Sequence, residues 1–208
     1  MRTEELIEQL AARPTAKLDG FPRLRFGLPM LGAAMMSLAL LSPALGAPLA
    51  EVPLTGVAAL AMKLGFSLSL ALASAAALFA SGRPGSGLRA PMTVLILPVL
   101  VLAALAASEI LTAEPAWPGA SWKTCLASIA LLTPPAFGCA VLAMRRLAPT
   151  RLRVSGALAG LAAASTAATA YALWCPETEA VFLLSWYALP ILLAGAAGAL
   201  LGPRLLRW

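Results

Sequence analysis

The groups in this sequence best suited to chemistry are two cysteines, one of them with acids close behind it. Cys125 stands in the segment SWKTC, and Cys175 in YALWCPETE, where Pro176 follows directly and Glu177 and Glu179 come next. The thiolate is the form of cysteine that attacks oxidants and holds soft metals. Nearby carboxylates disfavour that form, so strong nucleophilic activation is not expected from sequence context alone. Two further residues belong with this pair. Lys63 is a base inside an apolar run, and Cys139 is a third thiol set deep in another.

The rest of the composition removes most other chemistry. Of 208 residues, 61% are hydrophobic, 12% are charged and none is histidine, which leaves no ordinary soluble domain, histidine triad, histidine-ligated haem or usual zinc site. Nine acids, none closely paired within an apolar run, are too few for a metal-carboxylate centre. The glycine-rich SGRPGSG (Ser81–Gly87) lacks the lysine that closes a phosphate loop, and reads as a turn. No enzyme, no cofactor and no firm metal site are expected.

The elements that must position the thiols are membrane spans. A crossing helix needs about 20 mostly apolar residues, and charged or Pro/Gly-rich gaps cut the chain into six such runs. They fall near Phe26–Leu45, Val57–Ala80, Met92–Leu111, Trp122–Met144, Val154–Trp174 and Val181–Leu201. Leu, Ala and Gly dominate them and no alternating strand pattern recurs, so the expected fold is all-α. It is a polytopic six-transmembrane-helix bundle over residues 26–208, preceded by a cytoplasmic segment, residues 1–25. The first run follows too long a mixed stretch to be a typical cleaved signal, and is kept as a span. Pro98 and Pro134–Pro135 should kink or break their helices. Gly156 and Gly160, like Gly198 and Gly202, are read as close packing between helices and not as a dimer motif.

Charge orients the bundle, because short basic loops stay in the cytoplasm. Thirteen of the fifteen Lys and Arg residues lie before the first run, in alternate loops, or at the end of the chain. Both termini should therefore be cytoplasmic. The net charge of +6 is then a topology signal and not a nucleic-acid surface. The two exceptions are Lys123, at a boundary on the opposite side, and Lys63, expected to snorkel to the outer headgroups; the alternative makes Lys63 an intramembrane functional group.

This orientation places both Cys125 and Cys175 at the outer surface, since consecutive spans run antiparallel. Three readings stay open: a structural disulfide, a thiol switch or soft-metal trap, and coincidence. Cys139 lies about 21 Å further along its helix and should be an inert apolar side chain.

On the inner side, Leu6, Ile7 and Leu10 fall on one face of a short helix whose other face carries Glu4, Glu5 and Glu8. Thr3 caps its start and Pro14 ends it. Two to three turns are too few to be stable alone, and an acidic polar face suits a protein groove better than a lipid surface.

Several segments together carry a resemblance: TEELIEQLA, MKLGFSLSLAL, SWKTCLASIALLTPP, the long stretch from Ala148 to Tyr187, and LLGPRLLRW. The chain resembles the NrsF-type family of bacterial inner-membrane anti-sigma factors over essentially its whole length. The most specific elements are the aromatic-Lys-x-Cys segment and the later Cys-Pro-Glu. The resemblance implies a protein that holds an extracytoplasmic-function sigma factor inactive at the membrane until stress is sensed. It implies that Cys125 and Cys175 sense oxidative or metal stress, and that the head bearing Glu4, Glu5, Leu6, Ile7 and Leu10 contacts the sigma factor, with no direct nucleic-acid contact. Trp174 stands where relatives often have histidine, so sensing here would proceed without that group. The alternative function is a small transporter using Lys63 and the proline-bearing helices.

Overall fold

Runs of Leu and Ala without charge favour helix strongly, and in lipid a helix is the one open-chain structure that satisfies its own backbone. The computed structural model describes residues 3, 8, 22–45, 57–83, 89–112, 118–145, 147 and 149–207. Among the described residues from 22 onward the helices are, in order, α1 (Pro22–Leu45), α2 (Val57–Ser81), α3 (Arg89–Thr112), α4 (Trp122–Met144), α5 (Leu152–Tyr171), α6 (Ala180–Trp186) and α7 (Ala188–Leu205). Glu4, Glu5, Leu6, Ile7 and Leu10, on which the amphipathic head rests, lie outside the described residues.

Four stretches are long and apolar enough to cross a membrane: Val57–Ser81, Pro91–Thr112, Trp122–Met144 and Ala180–Leu205, the last combining α6 and α7. Gly27–Pro43 within α1 is a shorter apolar helix. The fifth run of the sequence differs in kind. Helix α5 is dotted with Ser, Thr and Gly, and it forms the centre of the bundle, packed by α7, α2 and α4. Its hydroxyls turn back onto carbonyls one turn earlier, Ser165 to Leu161 at 2.6 Å, Thr166 to Ala162 at 2.7 Å and Thr169 to Ser165 at 2.7 Å. Such internal bonding lets hydroxyl side chains sit among apolar neighbours without unmet polar groups.

A glycine seam joins α5 to α7. A Cβ placed on Gly156 or Gly160 would collide with the backbone carbonyls of Gly198 and Ala194, and one on Gly198 or Gly202 with those of Gly156 and Leu152. The two GxxxG steps therefore serve contact within the chain. Helix α3 is the opposite case, packed mainly on α2 and α6, with Val94, Leu97, Leu100 and Leu111 exposed on its outer face. In water so apolar a surface would drive association; against acyl chains it is matched.

Two details depart from the sequence expectation. Pro98 and the pair Pro134–Pro135 do not interrupt their helices, which run on through them. A break occurs instead at Tyr187, inside the sixth expected span. Pro190 explains it: proline has no N–H, so the carbonyl of Trp186, four residues before, loses its helical partner.

The bundle has two chemically different ends. At one, Arg145 Nε donates to the Leu205 carbonyl at 2.9 Å, and the Ser81 and Ser155 hydroxyls meet at 2.9 Å. Arg83, Arg151, Arg153, Arg204 and Arg207 lie on the helix ends and turns that converge there. At the other end lie both cysteines of interest, Lys63, and the acids Glu109, Glu177 and Glu179.

Candidate functional site

The site forms where four segments meet: the first two turns of α2, the start of α4, the end of α5 with the linker behind it, and the junction of α6 with α7. Lys63, Cys125, Tyr171, Cys175 and Tyr187 are all buried here, and the last four belong to one apolar cluster. Cys125 and Cys175, fifty residues apart in sequence, fall in one cluster at one end of the bundle; the sequence pointed only to a shared depth, and the two thiols are buried there and do not lie on the surface. All three cysteines are free thiols. Cys139 is elsewhere, half-buried beside Ala33, Ala136 and Ala163.

Lys63 corrects its sequence reading. It does not snorkel outward: it is 4% exposed, and its ammonium donates to the backbone carbonyl of Cys175 at 2.6 Å. So short a bond is typical of a charged donor. The acceptor is available because α5 ends at Tyr171, leaving the Cys175 carbonyl beyond the helix. Glu177 lies within electrostatic range of this ammonium, an acid partner on the linker that a search among the spans alone could not find.

The two thiols differ in their hydrogen-bond partners, although the Lys63 ammonium lies within electrostatic range of both. Cys125 Sγ–H donates to the Trp186 carbonyl at 3.7 Å, the same carbonyl that Pro190 releases from the helix. Its neighbour is an acceptor, which suits the protonated thiol. Cys175 has donors around it: Lys63, the Tyr187 hydroxyl and the backbone N–H of Glu177 each favour its thiolate, while burial outweighs them and pushes the thiol above its ordinary value of 9.0. Tyr187 Oη, fully buried, makes no hydrogen bond of normal geometry, and the Cys175 sulfur is the polar group that it faces.

Acids hold this end together. Glu177 Oε1 accepts from the backbone N–H groups of Ala120 and Ser121, both at 2.9 Å, and from the Ser121 hydroxyl at 3.0 Å. Ser121 makes no cap of its own for α4, so the carboxylate from the distant linker takes that place at the positive end of the helix. Gly119 makes the approach feasible, with a φ of 83° that other residues avoid and no room for a Cβ beside Phe182. Glu109 Oε2 accepts in the same way from the Val181 N–H at 2.9 Å, at the start of α6. Trp186 stacks on Trp122 with ring centres 4.9 Å apart, and its indole N–H donates to the Pro118 carbonyl at 2.9 Å.

Chemically, a change at the Cys125 sulfur would disturb its bond to the Trp186 carbonyl at the α6–α7 junction, and one at Cys175 would disturb the linker that receives Lys63. Among the described residues no group of three or more His, Cys, Asp or Glu is placed to hold a metal ion. Sequence reasoning located the thiols but missed Glu109, Tyr187 and Pro190. Only Pro190 left a legible signal, since a proline always releases the carbonyl four residues before it.

The family described as NrsF, negative regulator of sigma F, matches residues 10–208. A probable anti-sigma-F factor NrsF of Azospira oryzae is 41% identical over 152 residues, covering 71% of this chain and 71% of that protein. An anti-sigma-F factor NrsF of Caulobacter vibrioides is 40% identical over 90 residues, which is 43% of this chain and 42% of that one. No solved structure matches the chain. With a match that runs from residue 10 to the last residue, and with close identity to a relative over more than two thirds of both proteins, this chain belongs to the NrsF family of negative regulators of sigma F.

Proposed function

We propose that this protein is a membrane-embedded anti-sigma factor that sequesters a sigma factor of the extracytoplasmic-function class and releases it when oxidative or metal stress reaches Cys125 and Cys175. It is a regulator and not an enzyme. The observation that carries the reading is the family match across nearly the whole chain. The burial of both thiols in one cluster, with the Cys125 sulfur bonded to the Trp186 carbonyl and the Cys175 carbonyl bonded to Lys63, supports the sensing part. In this reading six helices cross the bacterial inner membrane, the arginine-rich end and both termini face the cytoplasm, and the thiol end faces the periplasm. Glu4, Glu5, Leu6, Ile7 and Leu10 form the sigma-binding face of the head. Lys63 serves the thiol cluster and not a transport path, because its ammonium is committed to the Cys175 carbonyl.

Affinity capture of the tagged protein from solubilised membranes tests the class: a sigma factor should co-purify in stoichiometric amount, and its absence at wild-type expression would refute the reading. Leu10→Asp should release it at least about tenfold more readily, since a charge on the apolar face of a docked helix costs more than about 1.4 kcal/mol. Cys125→Ser and Cys175→Ser should each blunt sigma-dependent transcription under oxidant or metal challenge. A full response in both variants would remove the sensing part and leave the sequestering part intact.

A further inference from the structure

The two thiols of the cluster are not equivalent, and their difference assigns an order of events. We infer that Cys175 is the thiol that reacts first with an oxidant of the hydroperoxide class, that Lys63 and Tyr187 are the positioning residues that favour this, and that Cys125 is the resolving thiol. This deepens the sensing reading and rests on it.

Three independent observations carry the assignment. The Lys63 ammonium is anchored 2.6 Å from the carbonyl of Cys175 itself, a buried cation fixed beside one sulfur's own residue. Such a charge beside a thiol that must become a thiolate is the arrangement found around reactive cysteines. Tyr187 Oη is a buried donor with no partner of normal geometry, aimed at the Cys175 sulfur; a thiolate, a stronger acceptor than a thiol, completes its bonding. Cys125, by contrast, gives its own proton to the Trp186 carbonyl and is 0% exposed, against 7% for Cys175. The first sulfur has around it the groups that offset part of the burial cost of a negative charge, and it is the less completely covered; the second spends its S–H on an acceptor. The other ionisable groups facing Cys175 are Tyr171 at the end of α5 and Glu177 on its own linker. Glu177 opposes the thiolate by charge, but it is drawn toward the start of α4 by its bonds to Ala120 and Ser121.

The chemistry balances without a further reductant or metal. Cys175 thiolate attacks an oxygen of the hydroperoxide; the S–O bond forms, the O–O bond breaks, and the leaving oxygen departs as hydroxide or alkoxide. The sulfur is oxidised to sulfenic acid and the peroxide reduced. The Cys125 sulfur then attacks the Cys175 sulfur, and the hydroxyl of the sulfenic acid leaves with the Cys125 proton as water, giving a disulfide. In doing so Cys125 surrenders its bond to Trp186 at the break between α6 and α7, which connects the redox step to a helix junction.

The test uses the full-length protein in lipid nanodiscs, in a Cys139→Ala background, treated with limiting hydrogen peroxide and a diketone trap for sulfenic acid, and read by mass spectrometry. In Cys125→Ser the trap should accumulate on Cys175; in Cys175→Ser trapping on Cys125 should be about tenfold slower or more. The unsubstituted pair should pass on to a disulfide. Adding Lys63→Met to Cys125→Ser should slow trapping by about tenfold and shift its pH profile upward, with Lys63→Arg restoring much of the rate. Tyr187→Phe removes only a hydroxyl that has no normal partner, so it reports on the same effect should Lys63→Met fail to fold. Equal trapping on the two cysteines, no sulfenic acid on either, or rates unmoved by both Lys63→Met and Tyr187→Phe would overturn the assignment. A sulfenic acid on Cys175 that never becomes a disulfide would overturn the role of Cys125. A sigma-dependent reporter separates the two ideas: if Cys175 oxidises first while the reporter stays silent, sensing fails and the order of reaction stands.

Discussion

Glu177 combines functions that its position in the sequence does not announce. Two residues behind Cys175, it reads as a charge that keeps a loop in water; in the structure the carboxylate spans 56 residues of sequence to reach the start of α4. Removing it leaves two backbone N–H groups without their acceptor and the helix terminus without a negative charge. Glu177→Ala should therefore cost about 1–2 kcal/mol, in the range of a lost helix cap, and Glu177→Gln less, since an amide oxygen still accepts. Thermal unfolding in detergent gives the magnitude, and hydrogen exchange should locate the loss at residues 119–123. Protection there that is unchanged in Glu177→Ala would show that the contact does not hold the terminus. Lys63 shows why such roles are hard to read in advance. A lysine six residues into an apolar helix lies about 9 Å from its start, close enough to the boundary to suggest snorkelling. What the sequence lacked was the position of its acceptor, a main-chain carbonyl 112 residues away.

At the scale of elements, the α5–α7 seam shows composition deciding geometry. Small residues in register allow backbone to meet backbone, and in lipid that contact replaces the missing hydrophobic drive as the source of association. Gly160→Leu should be poorly tolerated, because the added atoms meet the fixed Ala194 carbonyl and not a side chain able to turn aside. The expected cost is about 1–3 kcal/mol or misassembly, seen as a lower melting temperature and a broader size-exclusion profile. Gly138→Leu is the control, since nothing lies near a Cβ at that position. The helices themselves were legible, down to Trp122–Met144, because their apolar runs are long and their gaps are charged or rich in proline. The break at Tyr187 was not, although Pro190 marked it. A proline early in a run looks like a helix start or a kink, and telling the two apart requires knowing what the released carbonyl meets.

For the molecule as a whole, the separation of charge is the property that matters most. Among the described residues of the helical bundle, arginines gather at one end and Glu109, Glu177 and Glu179 at the other, so the orientation proposed above makes a direct prediction. Alkaline phosphatase fused after Thr178 should be active, and fused after Arg83 or Pro149 inactive; the reverse pattern would turn the protein over and place the thiols in a reducing compartment. That the two distant cysteines come to one end of the bundle is what antiparallel packing of consecutive helices would give. That their environments differ was not legible in the sequence, since it depends on which backbone groups the turns leave unbonded.

The glycine seam has a consequence for motion. Where Gly156 and Gly160 meet Ala194, Gly198 and Gly202, backbone lies directly on backbone, so α5 and α7 have little to repack along the seam and should move together as one beam of double thickness. A beam of that kind does not bend by degrees. If this protein has two shapes, the difference between them belongs to what is hinged on the beam: α6 beyond the break at Tyr187, and α3, which leans mainly on α2 and α6 and is otherwise free to swing.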